Sequence, residues 1–197
     1  TSAVEGRFDI ADFSNPAAPN RINSIDMLPY GGVTSVSVYN GLIAVASPNA
    51  NEQLNGSVVF FDIDGNFLKQ VTVGALPDMI TFSPDGKWVL TANEGQPNAN
   101  YSVDPEGSIS IIDLSAGIAN LTQNNVRTAF FTSFNAQENS LINSGVRKLK
   151  LSSTLSQDFE PEYITVNSNS TKAWVSLQEN NAIAEIDIIN GQITSVW

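Results

Sequence analysis

The side chains of this chain that could take part in chemistry are carboxylates, amides and hydroxyls. The 197 residues include 20 Asp and Glu against 9 Lys and Arg, with no His and no Cys, and the formal net charge is -11. A Ser-His-Asp triad, a His-ligated or Cys-ligated zinc site, a thiol nucleophile and a disulfide are therefore excluded. Because so negative a chain repels phosphate backbones and anionic lipids, cations are better partners than nucleic acid or a membrane surface.

The acids concentrate in five segments without Lys or Arg, at residues 48–56, 74–79, 93–107, 157–162 and 178–181. Nine of the 20 acids lie there: Glu52, Asp78, Glu94, Asp104, Glu106, Asp158, Glu160, Glu162 and Glu179. Crowded like charges raise one another's pKa unless a cation or hydrogen bonds intervene. Ca²⁺ takes ~6–8 oxygen ligands from carboxylates, amides and carbonyls, and amides such as Asn93 and Asn180 stand beside these acids. The segments therefore predict Ca²⁺ binding, and its candidate ligands are Glu94, Asp104, Glu106, Glu160, Glu162 and Glu179.

A plainer interpretation stays open for each acid taken singly. Loop carboxylates are commonly solvated, and Asp78 and Glu162 each stand directly before a predicted innermost strand, where they could accept hydrogen bonds from turn amides. The run from Asp62 to Asn66 begins like an EF-hand loop but lacks the Gly at position six and the Glu at position twelve. We interpret it as a hairpin turn.

Internal repeats predict the elements that position these acids. Four segments share one anchor, in which a turn residue is followed six positions later by Asp across a β-rich apolar stretch: Gly6–Asp12, Gly56–Asp62, Gly107–Asp113 and Asn181–Asp187. An Asp at the end of a strand accepts hydrogen bonds from turn amides, so its recurrence indicates architecture. Trp88 and Trp174, at equivalent places in successive repeats, are interpreted as packing between sheets.

A hairpin pattern precedes each of the last three anchors, with turn dipeptides such as Asn40-Gly41, and a further strand follows. Each unit is then a four-stranded antiparallel meander of ~40–50 residues, typical of a β-propeller blade. The predicted fold is all-β, a fragment of a WD40-like β-propeller; a regular β-sandwich is the alternative. The predicted divisions are the last two strands of one blade at 1–29, blades at 30–74 and 75–132, an insertion at 133–159 and a blade at 160–197.

Propeller geometry brings the five acidic segments to one face of the ring, because the connections between blades and the loops after the second strands share that face. The insertion predicts a short helix over Glu138–Asn143, ended by Gly145. Its three cations, Arg147, Lys148 and Lys150, would reach the acidic face only if the insertion folds back.

Three long segments carry a family resemblance: GALPDMITFSPDGKWVLTANEGQPN, YSVDPEGSISIIDLS and DFEPEYITVNSNSTKAWVSLQENNAIAEIDIINGQIT. They resemble the bacterial choice-of-anchor I propeller proteins, which are similar to the mesenchyme-specific cell surface glycoprotein of echinoderms. The resemblance extends from about Gly31 to the end of the chain. It implies an exported propeller of about seven blades at the cell surface, and this chain would be about half of that seven-bladed ring. Many relatives carry the name alkaline phosphatase. The loop SPNANEQLNG departs from the pattern, with one acid where the next repeat has three.

The acidic segments and the family resemblance together suggest two functions. The first is a non-catalytic binding module that is secreted, periplasmic or at the cell surface and holds cations or a surface partner on its acidic face. The alternative is a metal-dependent phosphoesterase using the same six carboxylates. A phosphatase generally needs a positive group besides the metal, and the acidic segments contain none. No segment inserts into a membrane, and open strand edges invite self-association.

Overall fold

The computed structural model describes residues 3–197, which form fourteen β-strands and very little helix. The strands are β1 (Arg7–Asp12), β2 (Asn20–Asp26), β3 (Ser35–Tyr39), β4 (Leu42–Ser47), β5 (Asn55–Asp62), β6 (Phe67–Ala75), β7 (Pro77–Phe82), β8 (Trp88–Asn93), β9 (Ser108–Asp113), β10 (Val126–Phe130), β11 (Pro161–Val166), β12 (Lys172–Leu177), β13 (Ala182–Asp187) and β14 (Gln192–Val196). The α-helices are α1 (Glu138–Asn143) and α2 (Leu155–Asp158). Short 3-10 turns span Leu28–Tyr30, Ile118–Asn120, Gln123–Asn125 and Thr132–Gln137.

The strands form four antiparallel sheets in chain order: β1–β2, β3–β6, β7–β10 and β11–β14. The last three are four-stranded meanders, in which each strand pairs with the one that follows it. The predicted Asn40-Gly41 turn joins β3 to β4, with Tyr39 paired to Leu42 and both turn residues at positive φ. This is the backbone that a two-residue hairpin of right-handed twist requires. The predicted all-β fold of four-stranded antiparallel sheets is confirmed.

Apolar side chains of the sheets pack face to face between neighbouring sheets. Side chains alternate between the two faces of β5: Val59 and Phe61 pack toward the first sheet with Phe8, whereas Val58 and Phe60 pack toward the third sheet. A further core joins the third and fourth sheets. Because the sheets are covered on both faces, strands such as β5 are continuous apolar runs, and the sheets are arranged side by side as propeller blades.

The insertion between β10 and β11 closes over the end of this last core. Phe134, Leu141 and Leu155 are buried with the fourth sheet, and the rings of Phe131 and Phe159 meet edge to face at 5.2 Å. Helix α1 covers Glu138–Asn143 as predicted, and Gly145 follows it with a φ of 113°. The insertion therefore folds back onto the blades. Trp88 also packs against this core. The guanidinium of Arg127 lies over the Trp88 ring, 5.3 Å from the ring centroid.

Strand β1 has an open edge. In the part of the chain that the structure describes, β1 pairs with β2 alone, whereas the strands at the same place in the other sheets pair on both sides. An apolar cleft beside β1 has a volume of ≈ 270 Å³, and its lining includes Phe8, Ile10, Val36, Val38, Ile43 and Ile63. Self-association through this edge stays a prediction. Among residues 3–197, no helix combines the length and the apolar character needed to cross a membrane.

Candidate cation-binding face

Strand pairing at one end of the sheets brings the acidic segments together. Pro77 of β7 pairs with Asn93 of β8, and Pro161 of β11 pairs with Leu177 of β12, so the starts of β7 and β11 lie beside the ends of β8 and β12. Strand β11 also contacts both β7 and β8 of the neighbouring sheet. Acids from four separate stretches therefore meet at this end of the two sheets.

Five acids at this end interact through their charges, and we call them the acidic cluster: Asp78, Glu94, Glu160, Glu162 and Glu179. Burial, followed by the charges of the other four members, raises the pKa of Glu94 to about 7. Burial, then Glu179, Asp158, Asp104 and Glu162, raises the pKa of Glu160 to about 7. Burial also raises the pKa of Asp78 and, together with Glu179, that of Glu162. Four of the six predicted ligands lie in this cluster.

One carboxylate oxygen of the cluster has no hydrogen-bond donor. Glu179 Oε2 is buried and unpartnered, although buried polar atoms in folded proteins are nearly always paired. The nearby Glu179 carboxylate contributes to the raised pKa of Glu162. A cation bound beside these two carboxylates would relieve their repulsion. Within residues 3–197 no three acidic side chains converge as a preformed metal site, so two carboxylates are the most that one ion would meet without rearrangement.

The other two predicted ligands, Asp104 and Glu106, are bonded to the insertion. Ser153 Oγ donates a hydrogen bond of 2.8 Å to Asp104 Oδ2, and Lys150 Nζ lies 3.9 Å from the same oxygen. Ser156 Oγ donates a hydrogen bond of 2.8 Å to Glu106 Oε1. The sequence does not predict these contacts, because nothing in the pattern of the insertion indicates where it packs against the blades.

Asp158 and Asn180 fasten the insertion to the acidic face. Asp158, 6% exposed, accepts hydrogen bonds from the amides of Leu149 at 2.9 Å and Lys150 at 2.7 Å. It also accepts one from Asn180 Nδ2 at 3.0 Å, and this amide group lies within 3.1 Å of the Arg147 carbonyl oxygen as well. Since Asn180 directly follows Glu179 and Asp158 stands two residues before Glu160, this joint fixes the backbone on both sides of the cluster. Asn180, noted from the sequence as an amide beside the acids, is therefore an internal link.

Lys150 places a positive charge at the edge of the face. Its ammonium lies 3.7 Å from the centroid of the Tyr101 ring and 3.9 Å from Asp104 Oδ2. Tyr101, Asp104, Lys150, Asp158 and Glu160 are among the residues that line a cavity of ≈ 20 Å³, room for about one water molecule. The insertion does fold back onto the blades, and it places the Lys150 side chain at the same cavity as Glu160.

The repeated aspartates lie at the opposite ends of the strands and have donors. Asp62 accepts hydrogen bonds from the amides of Asp64 and Asn66 and from the Asn66 side chain, and Asp187 accepts two from Asn190. The side chain and amide of Asn66 lower the pKa of Asp62. The architectural role predicted for these residues is confirmed, and the run from Asp62 is a hairpin turn between β5 and β6.

Face-to-face meanders of this kind define a β-propeller fold. The sequence matches the choice-of-anchor I domain over residues 3–197, so the chain belongs to the choice-of-anchor I family. None of the curated proteins matches the chain in sequence.

Solved propeller-type structures share the fold at low identity. Kuenenia stuttgartiensis hydrazine synthase matches with a TM-score of 0.59 and 17% identity, over 90% of this chain and 39% of that chain. KlHsv2 with its loop 6CD replaced by a Gly-Ser linker matches with a TM-score of 0.58 and 15% identity, over 98% of this chain and 48% of that chain. The chain thus spans less than half the length of either structure, and the likeness extends to the fold alone.

Proposed function

We propose that this chain is part of a non-catalytic binding module that acts outside the cell and holds cations, Ca²⁺ being the candidate, on its acidic cluster. The observation that carries the proposal is the convergence of Glu94, Glu162 and Glu179 from distant stretches of chain, with Glu179 Oε2 buried and lacking a donor. None of the salt bridges formed within residues 3–197 includes a member of the cluster. The cluster therefore carries negative charge that the protein itself leaves uncompensated.

Glu162 and Glu179 are the proposed first ligands, because Glu179 Oε2 is buried without a donor and the Glu179 carboxylate is near enough to raise the pKa of Glu162. Water molecules and backbone carbonyls would complete the shell of ~6–8 oxygens that Ca²⁺ prefers. With two carboxylates from the chain, the expected affinity is that of extracellular modules, with a Kd of about 10⁻⁴–10⁻³ M. Choice-of-anchor domains are typically found at the cell surface or outside the cell, where Ca²⁺ reaches such concentrations.

Calorimetric titration with Ca²⁺ at pH 8 tests the proposal. We expect saturable binding that is lost in the Glu162→Gln/Glu179→Gln double variant. The matched control is Glu185→Gln, which removes a carboxylate that is already paired with Lys172 at 2.7 Å on another part of the fourth sheet. Its binding isotherm should be that of the unmodified chain. Absence of saturable binding at millimolar Ca²⁺ would contradict the proposal.

A metal-dependent phosphoesterase is the second candidate, and the position of Lys150 is the observation that favours it. A phosphoryl group held by metal at the cluster would need a nearby positive charge, and Lys150 lies beside Asp104 and Glu160. Against it, the Lys150 ammonium is already seated between Asp104 and the Tyr101 ring. Hydrolysis of p-nitrophenyl phosphate that requires Ca²⁺ and disappears in both Glu94→Gln and Lys150→Ala would favour the enzyme. We expect no turnover.

A further inference from the structure

The acidic cluster is bordered on one side by exposed apolar side chains, which we call the apolar rim. It consists of Tyr101, Val103, Leu149 and Leu151, and their exposed fractions are 50%, 49%, 53% and 88%. Two come from the loop between β8 and β9 and two from the insertion, so folding back of the insertion is what brings them together. Tyr101 and Leu149 line the same small cavity as Glu160 of the cluster. Grouped apolar side chains beside a polar surface are typical of protein interaction sites.

Hydrogen bonds hold the backbone under the apolar rim in place. Asn98 Nδ2 donates to Ser102 Oγ at 2.9 Å, and Asn98 Oδ1 accepts from the Val103 amide at 3.2 Å. Gln157 Nε2 joins the loop to the insertion through the Asp104 carbonyl oxygen at 3.0 Å. The Leu149 amide is held by Asp158. The rim is therefore a surface fixed before any partner arrives, which lowers the entropy cost of binding.

From this arrangement we infer that the face docks a peptide segment of a partner protein in which a Lys or Arg is flanked by apolar residues. The inference rests on the cation-binding role proposed for the acidic cluster and names the partner that brings the cation. Charge complementarity selects the basic residue, since Glu160 lies at the cavity beside the rim and the charges of Glu162 and Glu179 act on the same place. The rim would take the apolar neighbours. Lys150 shows the same mode of recognition within the chain, with its ammonium between an aromatic ring and a carboxylate.

The test is fluorescence anisotropy with a labelled, end-capped decapeptide that has a central arginine and two leucines on each side. We expect saturable binding that weakens about tenfold in the Leu149→Ser/Leu151→Ser variant and about tenfold in Glu160→Gln. Peptides with glutamine in place of the arginine, or serine in place of the leucines, should also lose binding. Ile189→Ser is the matched control, because this side chain is 52% exposed in the turn between β13 and β14, at the other end of the strands.

The outcomes separate this inference from the proposed function. If Ca²⁺ binds in the calorimeter and the decapeptide does not, the inference is wrong and the cation site stands. If the decapeptide binds with the expected variant pattern and Ca²⁺ does not, the inference stands and the face recognises organic cations instead of the metal. Equal binding of the glutamine peptide, or binding to phosphatidylcholine vesicles that Leu149→Ser/Leu151→Ser abolishes, would overturn the inference by assigning the rim to non-ionic or lipid contacts.

Discussion

The two ends of the strands carry the same kind of side chain in opposite electrostatic settings. At the turn end, hydrogen bonds from Ser14 lower the pKa of Asp12, and those from Asn190 lower the pKa of Asp187. At the other end, burial and neighbouring acids raise the pKa of Glu94 and of Glu160 to about 7. The fold therefore stabilises the charged form of the turn aspartates and destabilises the charged form of Glu94 and Glu160.

The difference shows which acids the architecture needs. Each turn aspartate recurs with the repeat and accepts hydrogen bonds from its own turn, so it stabilises that turn locally. The cluster glutamates stabilise little that the structure shows, and Glu179 leaves a buried oxygen without a donor. Perturbed groups of this kind gather at functional sites. Experiments that separate stability from cation binding therefore test the comparison directly.

Asp158→Ala should have the largest effect on stability. Asp158 lies at the same end of the strands as the acidic cluster, but like the turn aspartates it accepts hydrogen bonds that hold the backbone in place. The change removes a buried carboxylate that accepts three hydrogen bonds and leaves the backbone amides of Leu149 and Lys150 without their acceptors. We expect a loss of about 3 kcal/mol in the free energy of unfolding, measured in urea. Asp158→Asn keeps one acceptor oxygen and should lose less. Equal stability of Asp158→Ala and the unmodified chain would remove the proposed role of the joint with Asn180.

The pH dependence of stability should differ between the two ends in sign. Glu94 and Glu160 have folded pKa values of about 7 against a model-peptide value of 4.5, so the folded chain holds their protons more tightly than the unfolded chain does. Their contribution is fully present below pH 4.5 and is lost as pH rises through about 7. The turn aspartates, whose folded pKa values are lowered, contribute stability above pH 3.8 that is lost as pH falls through those lowered values.

We therefore expect the unmodified chain to be less stable at pH 8 than at pH 5.5, by about 2 kcal/mol after solvent screening. The Glu94→Gln/Glu160→Gln double variant should show little of this decline, because it lacks the two groups. Glu185→Gln, which removes an acid whose pKa Lys172 lowers, should keep the decline. Urea unfolding at the two pH values measures the effect, and a decline that survives in the double variant would contradict the raised pKa values.

Ca²⁺ should restore the stability that the folded chain loses at high pH. A cation that binds the folded chain and not the unfolded one stabilises it by about 1.4 kcal/mol at ten times its Kd. The gain should be larger at pH 8 than at pH 5.5, because protons on Glu94 and Glu160 weaken the field that attracts the ion. Thermal unfolding with Ca²⁺ and with EDTA measures it, and Mg²⁺ at equal ionic strength is the control for screening. A gain that is the same at both pH values would point to a site elsewhere.

The repeats made most of the fold predictable from the sequence, because a strand, a turn and an Asp recur together and each has a local cause. Asn40-Gly41 fixes a hairpin on its own, and so the strands on either side follow. Glu94, Glu162 and Glu179 could be assigned to one face because each has a fixed place in its repeat. The insertion offered no such reference. The sequence therefore could not predict the hydrogen bonds that Ser153 and Ser156 of the insertion donate to Asp104 and Glu106.

The smallest expected effect belongs to the turn aspartates themselves. Asp62 accepts three hydrogen bonds and Asp113 accepts one, from the amide of Ser115. Both carboxylates are exposed enough for water to replace part of what is lost, so Asp62→Ala should lower the melting temperature slightly and Asp113→Ala less still. Neither change should alter the Ca²⁺ isotherm, because both residues lie at the end of the strands remote from Glu94. If either variant abolished Ca²⁺ binding while keeping its melting temperature, the division between architectural and cation-binding ends would be wrong.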